Sequence, residues 1–391
     1  MLSQRISLLS ESITVAISSL AKELKAQGKD ILSFSAGEPD FDTPEAVKNA
    51  AIQAIKSGFS KYTAVSGTPE VLKAVADKLL RDNTLSYKPS DIIINVGAKH
   101  SLFSLFEVLL NSGDEVIIPS PYWVTYPELV GYCGGKSVFL STNDTNTFKI
   151  TPKQLKEAIT PKTRIFVLNN PSNPTGSLYS KEELTALADV LRGTDILVIA
   201  DEIYEKLLFD GLKFTSFASL NADAFERTIT VNGLSKAAAM PGWRFGYIAT
   251  PKQEIITALK KLQSQSVSNV TSIVQKAAIP ALDGTIDKDI EMMRATFEKR
   301  RDLAASALNR IEGISVVKPF GAFYLFVNIN NICEDSMLFC KELLEYAGVA
   351  VVPGVGFGMD GYFRFSYATD ENSIIKGIKR IEDFIKQNYA K

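Results

Sequence analysis

Hydrophobic residues along this chain fall into short continuous runs that alternate with amphipathic segments. The runs contain few polar residues, which is typical of strands buried on both faces of a sheet. They predict strands at 91–96, 115–118, 164–168, 195–200 and 228–231. Apolar residues at helical spacing predict helices at 44–56, 69–81, 101–110 and 180–191. This alternation predicts an α/β fold of three layers, αβα, with helices covering a mostly parallel central sheet.

The pattern changes near 283–284, after which a long charged helix is followed by short strands. Apolar spacing predicts a smaller α+β lobe here. Its predicted elements are a helix at 287–309, strands at 314–317 and 322–327, a helix at 335–347, a segment at 349–352, a strand at 363–367 and a closing helix. We therefore expect a large domain at 46–284 and a small domain at 285–391, to which residues 1–45 contribute.

Composition narrows the functional classes. Of 391 residues 46% are apolar, and 43 Lys and Arg nearly balance 44 Asp and Glu. With this balance of charges, no strong electrostatic attraction to nucleic acid or to an anionic membrane is expected. The three cysteines, Cys133, Cys333 and Cys340, are far apart, which favours buried thiols in a reducing compartment over disulfides or a zinc site. No apolar run has the length of a signal peptide or a membrane span, so we expect a cytoplasmic protein.

The chain contains a single histidine, His100. Chemistry that needs a catalytic histidine together with a histidine-rich metal site is therefore not expected. Lysine is the obvious alternative base. Lys236 follows the strand at 228–231, and Arg244 lies eight positions later. The amine can form a Schiff base with an aldehyde, and the guanidinium can hold a phosphate with paired hydrogen bonds. The alternatives are a solvated surface lysine and an arginine that pairs elsewhere.

Other strand ends carry residues that suit the same kind of ligand. Gly97, Ala98 and Lys99 follow the strand at 91–96 and lead into a helix, where free N–H groups can bind phosphate. Asn173 lies between two prolines after the strand at 164–168, and its amide can donate to a ring hydroxylate. An ordinary strand–helix turn and a polar loop are the alternatives.

Two further strand ends complete the pattern. Asp201 ends the strand at 195–200, and a buried carboxylate there can pair with a protonated pyridine nitrogen. Tyr204 can reach the hydroxyl of the same ring, and Trp123 can stack on it. The alternatives are a helix-capping aspartate and a core tryptophan. Because ligands bind at the carboxyl ends of parallel strands, these residues together predict one site for an aldehyde cofactor with a phosphate.

At this point the motifs become specific to a family. The chain resembles the pyridoxal-phosphate aminotransferases of fold type I, class I. It is most similar to the bacterial aspartate aminotransferase subgroup that lacks the second substrate arginine. The matching motifs are 35–44 (SAGEPDFDTP), 61–63 (KYT), 97–99 (GAK), 121–124 (PYWV), 170–176 (NPSNPTG), 201–204 (DEIY), 235–236 (SK), 242–244 (GWR), 321–324 (GAFY) and 364–368 (RFSYA).

The resemblance implies the cofactor pyridoxal 5'-phosphate and a role for each motif. Lys236 would form the Schiff base and move the proton, with Asp201 on the ring nitrogen, Asn173 and Tyr204 at the ring oxygen, and Trp123 stacked on the ring. The phosphate would be held by Gly97, Ala98, Lys99, Ser235 and Arg244. Tyr62 would reach the phosphate of a neighbouring subunit, which implies a homodimer with shared active sites.

The resemblance also implies how the substrate binds. Gly37 and Arg364 would hold the α-carboxylate, with Trp123 and Asn173 beside the substrate. Lys99 and Thr14 would meet the distal carboxylate, although each has an ordinary alternative as a solvated turn lysine or a helix-starting residue. The chain departs from the family at Pro241, where threonine is usual, at Ala238, where an aromatic residue is usual, and at Phe320, where serine is more usual.

The reaction implied is transamination between an amino acid, aspartate first, and 2-oxoglutarate, giving oxaloacetate and glutamate. Aromatic amino acids or prephenate are alternative substrates. A lyase or decarboxylating enzyme on the same fold would keep the same cofactor residues but need no 2-oxo acid acceptor. A non-catalytic regulator would carry an N-terminal DNA-binding domain, for which the family-like motifs leave no room.

Overall fold

The structure, a computed structural model, describes residues 2–389. The ends of the predicted domains, residues 1, 390 and 391, lie outside the described residues. The helices are α1 (Ile13–Ala26), α2 (Glu45–Lys56), α3 (Pro69–Asn83), α4 (Ala98–Leu109), α5 (Thr125–Tyr132), α6 (Pro152–Ala158), α7 (Lys181–Leu191), α8 (Ala222–Arg227), α9 (Gln253–Ser266), α10 (Ser272–Leu282), α11 (Asp287–Leu308), α12 (Ser336–Ala347) and α13 (Glu371–Asn388).

The strands are short and follow most of the predicted apolar runs. They are β1 (Leu32–Ser33), β2 (Ile92–Val96), β3 (Glu115–Ser120), β4 (Lys136–Ser141), β5 (Thr163–Asn169), β6 (Leu197–Asp201), β7 (Thr228–Gly233), β8 (Phe245–Ala249), β9 (Ser315–Val316), β10 (Tyr324–Asn328), β11 (Val349–Ala350), β12 (Val352–Pro353) and β13 (Tyr362–Ser366).

A seven-stranded sheet in the order β2-β8-β7-β6-β5-β3-β4 forms the centre of the large lobe. The five strands predicted from the sequence run in the same direction, which confirms the mostly parallel sheet of an α/β fold. The sequence analysis missed β8, which pairs antiparallel with both β2 and β7. It also missed β4, an edge strand whose apolar run is only three residues long, Val138–Leu140.

The central strands are buried on both faces, as their continuous apolar sequences predict. In β6, Ile199 packs in one hydrophobic cluster, while Val198 and Ala200 pack in a second cluster on the other face. Successive side chains of a strand point to opposite faces, so a strand covered by helices on both sides buries every side chain and is mostly apolar. A charged residue such as Asp201 therefore stands out where its strand ends, at the edge that carries the site.

The second lobe contains a four-stranded sheet in the order β12-β13-β10-β9. The N-terminal segment joins this region, because β1 pairs in parallel with β11 through Leu32 and Val349. The predicted strand at 322–327 begins later, at Tyr324, since Ala322 has a left-handed φ of 59°. The predicted helix at 101–110 begins earlier, at Ala98. The exact division into domains at 46–284 and 285–391 stays a prediction.

None of the helices within residues 2–389 is both long enough and apolar enough to cross a membrane.

Candidate active site

A cleft of about 600 Å³ opens at the carboxyl ends of the parallel strands. It is lined by residues far apart in the sequence, which the strand ends and α1 bring together. Most of the predicted site residues line it: Thr14, Gly37, Ala98, Lys99, Trp123, Asn173, Asp201, Tyr204, Ser235, Lys236, Arg244 and Arg364. The strand ends thus converge on one cavity, as expected for ligands of a parallel sheet.

Lys236 lies in the turn that follows β7. Its Nζ donates a hydrogen bond to the backbone carbonyl of Gly37, so the amine points into the cleft rather than into solvent. Burial lowers the pKa of Lys236 to about 8, and the nearby charge of Arg364 acts in the same direction. About a tenth of this amine is therefore neutral at pH 7, far more than for an ordinary lysine, and a nucleophile or base must be neutral.

Asp201 is the last residue of β6 and is 3% exposed. The hydroxyl of Tyr126 donates to its Oδ2 at 2.6 Å, and the N–H of Ile203 donates to its Oδ1 at 3.3 Å. Burial raises the pKa of Asp201 to about 6 despite the Tyr126 hydrogen bond. A turn rather than a helix follows Asp201, so the alternative of a helix-capping aspartate is wrong.

Arg364 on β13 is 1% exposed. It donates to the side-chain oxygen of Asn173 and to the carbonyl of Ser35, both at 2.9 Å, and its Nε has no hydrogen-bond partner. These acceptors are neutral and leave the buried positive charge uncompensated, which is costly without an anion. The amide nitrogen of Asn173 stays available, because the Arg364 bond uses only its oxygen.

A second basic region surrounds the beginning of α4. Gly97 has a left-handed φ of 80°, and a Cβ built there would lie 2.7 Å from a guanidinium nitrogen of Arg244. A Cβ on Gly246 would collide with the backbone nitrogen of Ala98. Two glycines thus keep Arg244 and the first N–H groups of α4 close together, and the positive end of a helix favours an anion.

Lys99 lies in the first turn of α4 with its Nζ 5.1 Å from the ring centroid of Trp123. Burial lowers the pKa of Lys99, and the charge of Arg244 lowers it further. Trp123 meets Tyr126 edge to face, with ring centroids 5.5 Å apart. Helix α1 also lines the cleft and supplies Thr14, whose buried hydroxyl oxygen has no hydrogen-bond partner.

Sequence reasoning omitted two tyrosines that the structure places in the cleft, Tyr126 and Tyr324. Tyr126 lies one helical turn after Trp123, and Tyr324 closes a motif that the sequence analysis quoted without assigning it a role. Two predicted residues do not line the cleft of their own chain: Gly97, which directly precedes Ala98, and Tyr62, which is 90% exposed.

The three departures from the family pattern have different surroundings. Pro241 lines the cleft, and its carbonyl accepts a hydrogen bond from Arg244 at 2.8 Å. Ala238 is fully buried in the hydrophobic core. Phe320 makes backbone hydrogen bonds to Phe209 and Gly176, each at 3.0 Å. Only Pro241 borders the cavity directly.

The family model for aminotransferase class I and II matches residues 29–381. The chain belongs to this aminotransferase family. It is 47% identical to an aspartate aminotransferase from Geobacillus stearothermophilus, over 98% of this chain and 99% of that protein. It is 46% identical to an aspartate/prephenate aminotransferase from Nitrosomonas europaea, over 98% of this chain and 99% of that protein. A solved aspartate aminotransferase from Thermus thermophilus with maleate is 43% identical, with a TM-score of 0.94 over 98% of this chain and 99% of that one.

The cofactor of this aminotransferase is pyridoxal phosphate, and the cleft fits it. A phosphate matches the basic region at Gly97 and Arg244. A side chain at position 97 would fill the space beside the Arg244 guanidinium. A protonated ring nitrogen matches the buried carboxylate of Asp201, and an aldehyde matches the partly neutral amine of Lys236. The partnerless Nε of Arg364 leaves a separate position for a substrate carboxylate.

Proposed function

We propose that this aminotransferase transfers the amino group of aspartate to 2-oxoglutarate, giving oxaloacetate and glutamate. The observation that carries the proposal is that Arg364 and Lys99 line the same cleft, in addition to Lys236, Arg244 and the exposed Lys22. Arg364 and Lys99 each suit one carboxylate of a dicarboxylic substrate. The names of relatives at 46–47% identity, among them the Geobacillus stearothermophilus aspartate aminotransferase, support the same choice.

When bound, pyridoxal phosphate supplies an aldehyde for amino groups and a ring that withdraws electrons from the reacting carbon. We assign its phosphate to Gly97, Ala98, Lys99, Ser235 and Arg244. The short approach between the Gly97 backbone and Arg244 favours this position. Asp201 holds a proton on the ring nitrogen, and the ionic pairing offsets the cost of burying its carboxylate.

Asn173 and Tyr204 are assigned to the ring oxygen. The free amide nitrogen of Asn173 can donate to that oxygen while its carbonyl oxygen keeps the bond to Arg364. Trp123 is assigned to the ring face, and its edge-to-face contact with Tyr126 fixes its plane. These residues orient the reacting bond and exclude water from it.

Lys236 is assigned the proton transfer. Its Nζ takes the proton from the substrate Cα, and a pKa of about 8 places this base close to neutral pH. Gly37 accepts a hydrogen bond from the Lys236 amine, and together with Arg364 it borders the position of the α-carboxylate. Thr14 and Lys99 meet the distal carboxylate, to which the partnerless hydroxyl of Thr14 can donate.

We propose further that the active form is a homodimer in which Tyr62 of each subunit contacts the phosphate of the other. The 90% exposure of Tyr62 in the single chain supports this role, because its side chain is free to reach a second subunit. We also propose a cytoplasmic location, which the free state of all three cysteines supports.

A second substrate class has one specific observation in its favour. The relatives named aspartate/prephenate aminotransferases, such as that of Nitrosomonas europaea at 46% identity, are nearly as similar to this chain as those named only for aspartate. Prephenate also carries two carboxylates, so the same two cations can hold it. Aromatic amino acids would leave Lys99 without an ionic partner.

The deciding experiment is a matrix of amino donors against 2-oxo acid acceptors with the purified enzyme. Aspartate and glutamate should exceed phenylalanine and tyrosine in kcat/KM with 2-oxoglutarate, and prephenate with aspartate or glutamate as donor should be measured in parallel. Higher kcat/KM for aromatic donors would overturn the aspartate assignment. Release of ammonia without an acceptor would instead indicate a lyase.

A further inference from the structure

Tyr324 lies in the cleft between the two lobes and has no role in the assignments above. It is the first residue of β10, in the sheet of the small lobe, and its side chain is fully buried. It follows Ala322, whose left-handed backbone turns the chain into the strand. The residue is thus held on a rigid element but points toward the cleft.

The hydroxyl of Tyr324 lies 2.9 Å from the hydroxyl of Tyr204, and the two rings meet edge to face at 5.9 Å. Tyr204 follows β6 in the large lobe, so this hydrogen bond joins the two lobes at the active site. Tyr204 is 3% exposed, and burial is the main cause that raises its pKa, with Tyr324 the next contributor. Both hydroxyls therefore stay protonated at neutral pH.

The ring of Tyr324 has a second contact, with Arg364. The guanidinium carbon lies 4.4 Å from the ring centroid. The sheet register produces this contact, because Tyr324 pairs with Ser366 on the adjacent strand β13, and Arg364 is two residues away on that strand. Diagonal neighbours of this kind are within reach of aromatic and long side chains. The ring face can hold the guanidinium in place without using its hydrogen-bond donors.

The direction of the hydroxyl bond follows from the proposed role of Tyr204. If Tyr204 donates its proton to the ring oxygen of the cofactor, its own oxygen must accept the proton of Tyr324. A hydroxyl that accepts a hydrogen bond becomes a stronger donor. Gly37 lies beside this pair of hydroxyls. A Cβ atom at position 37 would lie only 3.3 Å from the Tyr324 hydroxyl oxygen, so a larger residue would crowd the pair.

We propose that Tyr324 is a positioning residue that couples the cofactor to the substrate carboxylate. Its hydroxyl strengthens the donor Tyr204, and its ring fixes the guanidinium of Arg364. The inference rests on the roles proposed for Tyr204 and Arg364, but not on the choice of aspartate as donor.

Two substitutions separate the two contacts. Tyr324→Phe keeps the ring beneath Arg364 and removes the hydroxyl, whereas Tyr324→Leu removes both. Tyr362→Phe is the matched control, because Tyr362 is a buried tyrosine on β13 whose hydroxyl contacts Asp144 at 3.2 Å. The first measurement needs no substrate. The absorption of the bound cofactor is followed as a function of pH, which gives the midpoint of its titration, and the cofactor dissociation constant is measured by fluorescence.

In Tyr324→Phe the midpoint should rise by on the order of half a pH unit, because a weaker Tyr204 donor stabilises the ionised ring oxygen less. KM for amino donors should change less than about twofold, since Arg364 keeps its contact. In Tyr324→Leu the midpoint should rise equally, and KM should rise about tenfold for aspartate and for an aromatic donor alike.

An unchanged midpoint in Tyr324→Phe would overturn the coupling to Tyr204. Equal KM values in the Phe and Leu variants would overturn the contact with Arg364. Failure of aspartate as a donor would leave both comparisons intact, because the absorption test uses no substrate and the KM test uses two donor classes. If Tyr324→Leu does not fold, Tyr324→Met replaces it as the variant that lacks the ring.

Discussion

The hydroxyl of Tyr126 on α5 donates a 2.6 Å hydrogen bond to Oδ2 of Asp201 at the end of β6. Both side chains are buried, and the bond joins residues 75 positions apart. It opposes the effect of burial, which by itself raises the pKa of Asp201. Tyr126 therefore favours the ionised carboxylate that a protonated ring nitrogen requires.

Replacement of Tyr126 by phenylalanine should weaken this ion pair. A hydrogen bond to a buried charged group contributes about 1.5–3 kcal/mol, so kcat should fall by roughly tenfold or more. Asp201→Ala should cost far more, because it removes the carboxylate itself. Steady-state kinetics at saturating cofactor measure both effects. If Tyr126→Phe retains full kcat, the bond serves packing alone.

Lys236→Ala should lose turnover while it retains pyridoxal phosphate noncovalently. The wild-type enzyme should be yellow, and borohydride reduction followed by peptide mass spectrometry should place the cofactor on Lys236. Lys99 is the informative control, since it is also a partly buried lysine of the cleft. Labelling of Lys99 or any other lysine would contradict the central assignment.

Lys99→Ala should weaken acidic donors selectively. A charge-assisted hydrogen bond of about 2–3 kcal/mol corresponds to a factor of roughly 30 to 150 in kcat/KM. An aromatic donor should lose much less, because its distal end carries no charge. Lys22→Ala is a matched control, as Lys22 lines the same cleft from α1. Cofactor occupancy must be equal in each variant, since Lys99 also borders the phosphate region.

Equal losses for acidic and aromatic donors at full occupancy would remove Lys99 from substrate recognition. That result would favour an aromatic aminotransferase over the aspartate enzyme.

Shared active sites can be tested by complementation between Tyr62→Ala and Lys236→Ala. In a mixed dimer one site combines an intact Lys236 with an intact Tyr62 from the other chain. Heterodimers purified with two different tags should therefore show up to about half of the wild-type activity, which is more than either parent homodimer shows. The native mass should be that of a dimer. A fully active monomer would refute this part of the proposal.

Glu202 provides a prediction about stability and pH. It is 2% exposed, and burial, followed by the charge of Glu205, raises its pKa to about 8 from an ordinary 4.5. The folded protein thus holds a proton that the unfolded chain releases above pH 4.5. The stability linked to this proton is complete below pH 4.5 and is lost as the pH rises through 8.

Glu202→Gln keeps an oxygen acceptor for Ser216 and removes the titration. Between pH 5 and 8 the unfolding free energy of the wild type should fall relative to the variant by about 1.4 kcal/mol per pH unit. Urea unfolding at several pH values measures this difference. Glu157→Gln, an exposed glutamate on α6, should show none of it. Parallel profiles for wild type and Glu202→Gln would show that Glu202 is already ionised in the folded state.

The sequence by itself determined the α/β class and the residues at the strand ends. Both depend on local chemistry: a strand buried on two faces is mostly apolar, so a charged residue such as Asp201 stands out where it ends. The same contrast identified Lys236 and the glycine at 97. The antiparallel β8 escaped prediction, because Gly246 interrupts its short apolar run and glycine is depleted in strands.

Only the tertiary structure decided which side chains meet. The bonds Tyr126–Asp201 and Tyr204–Tyr324 join residues 75 and 120 positions apart, and the contact of Tyr324 with Arg364 depends on the register of β10 and β13. A one-residue shift of that register would turn one side chain to the other face of the sheet. Such contacts arise from the packing of whole elements, which no local pattern of residues encodes.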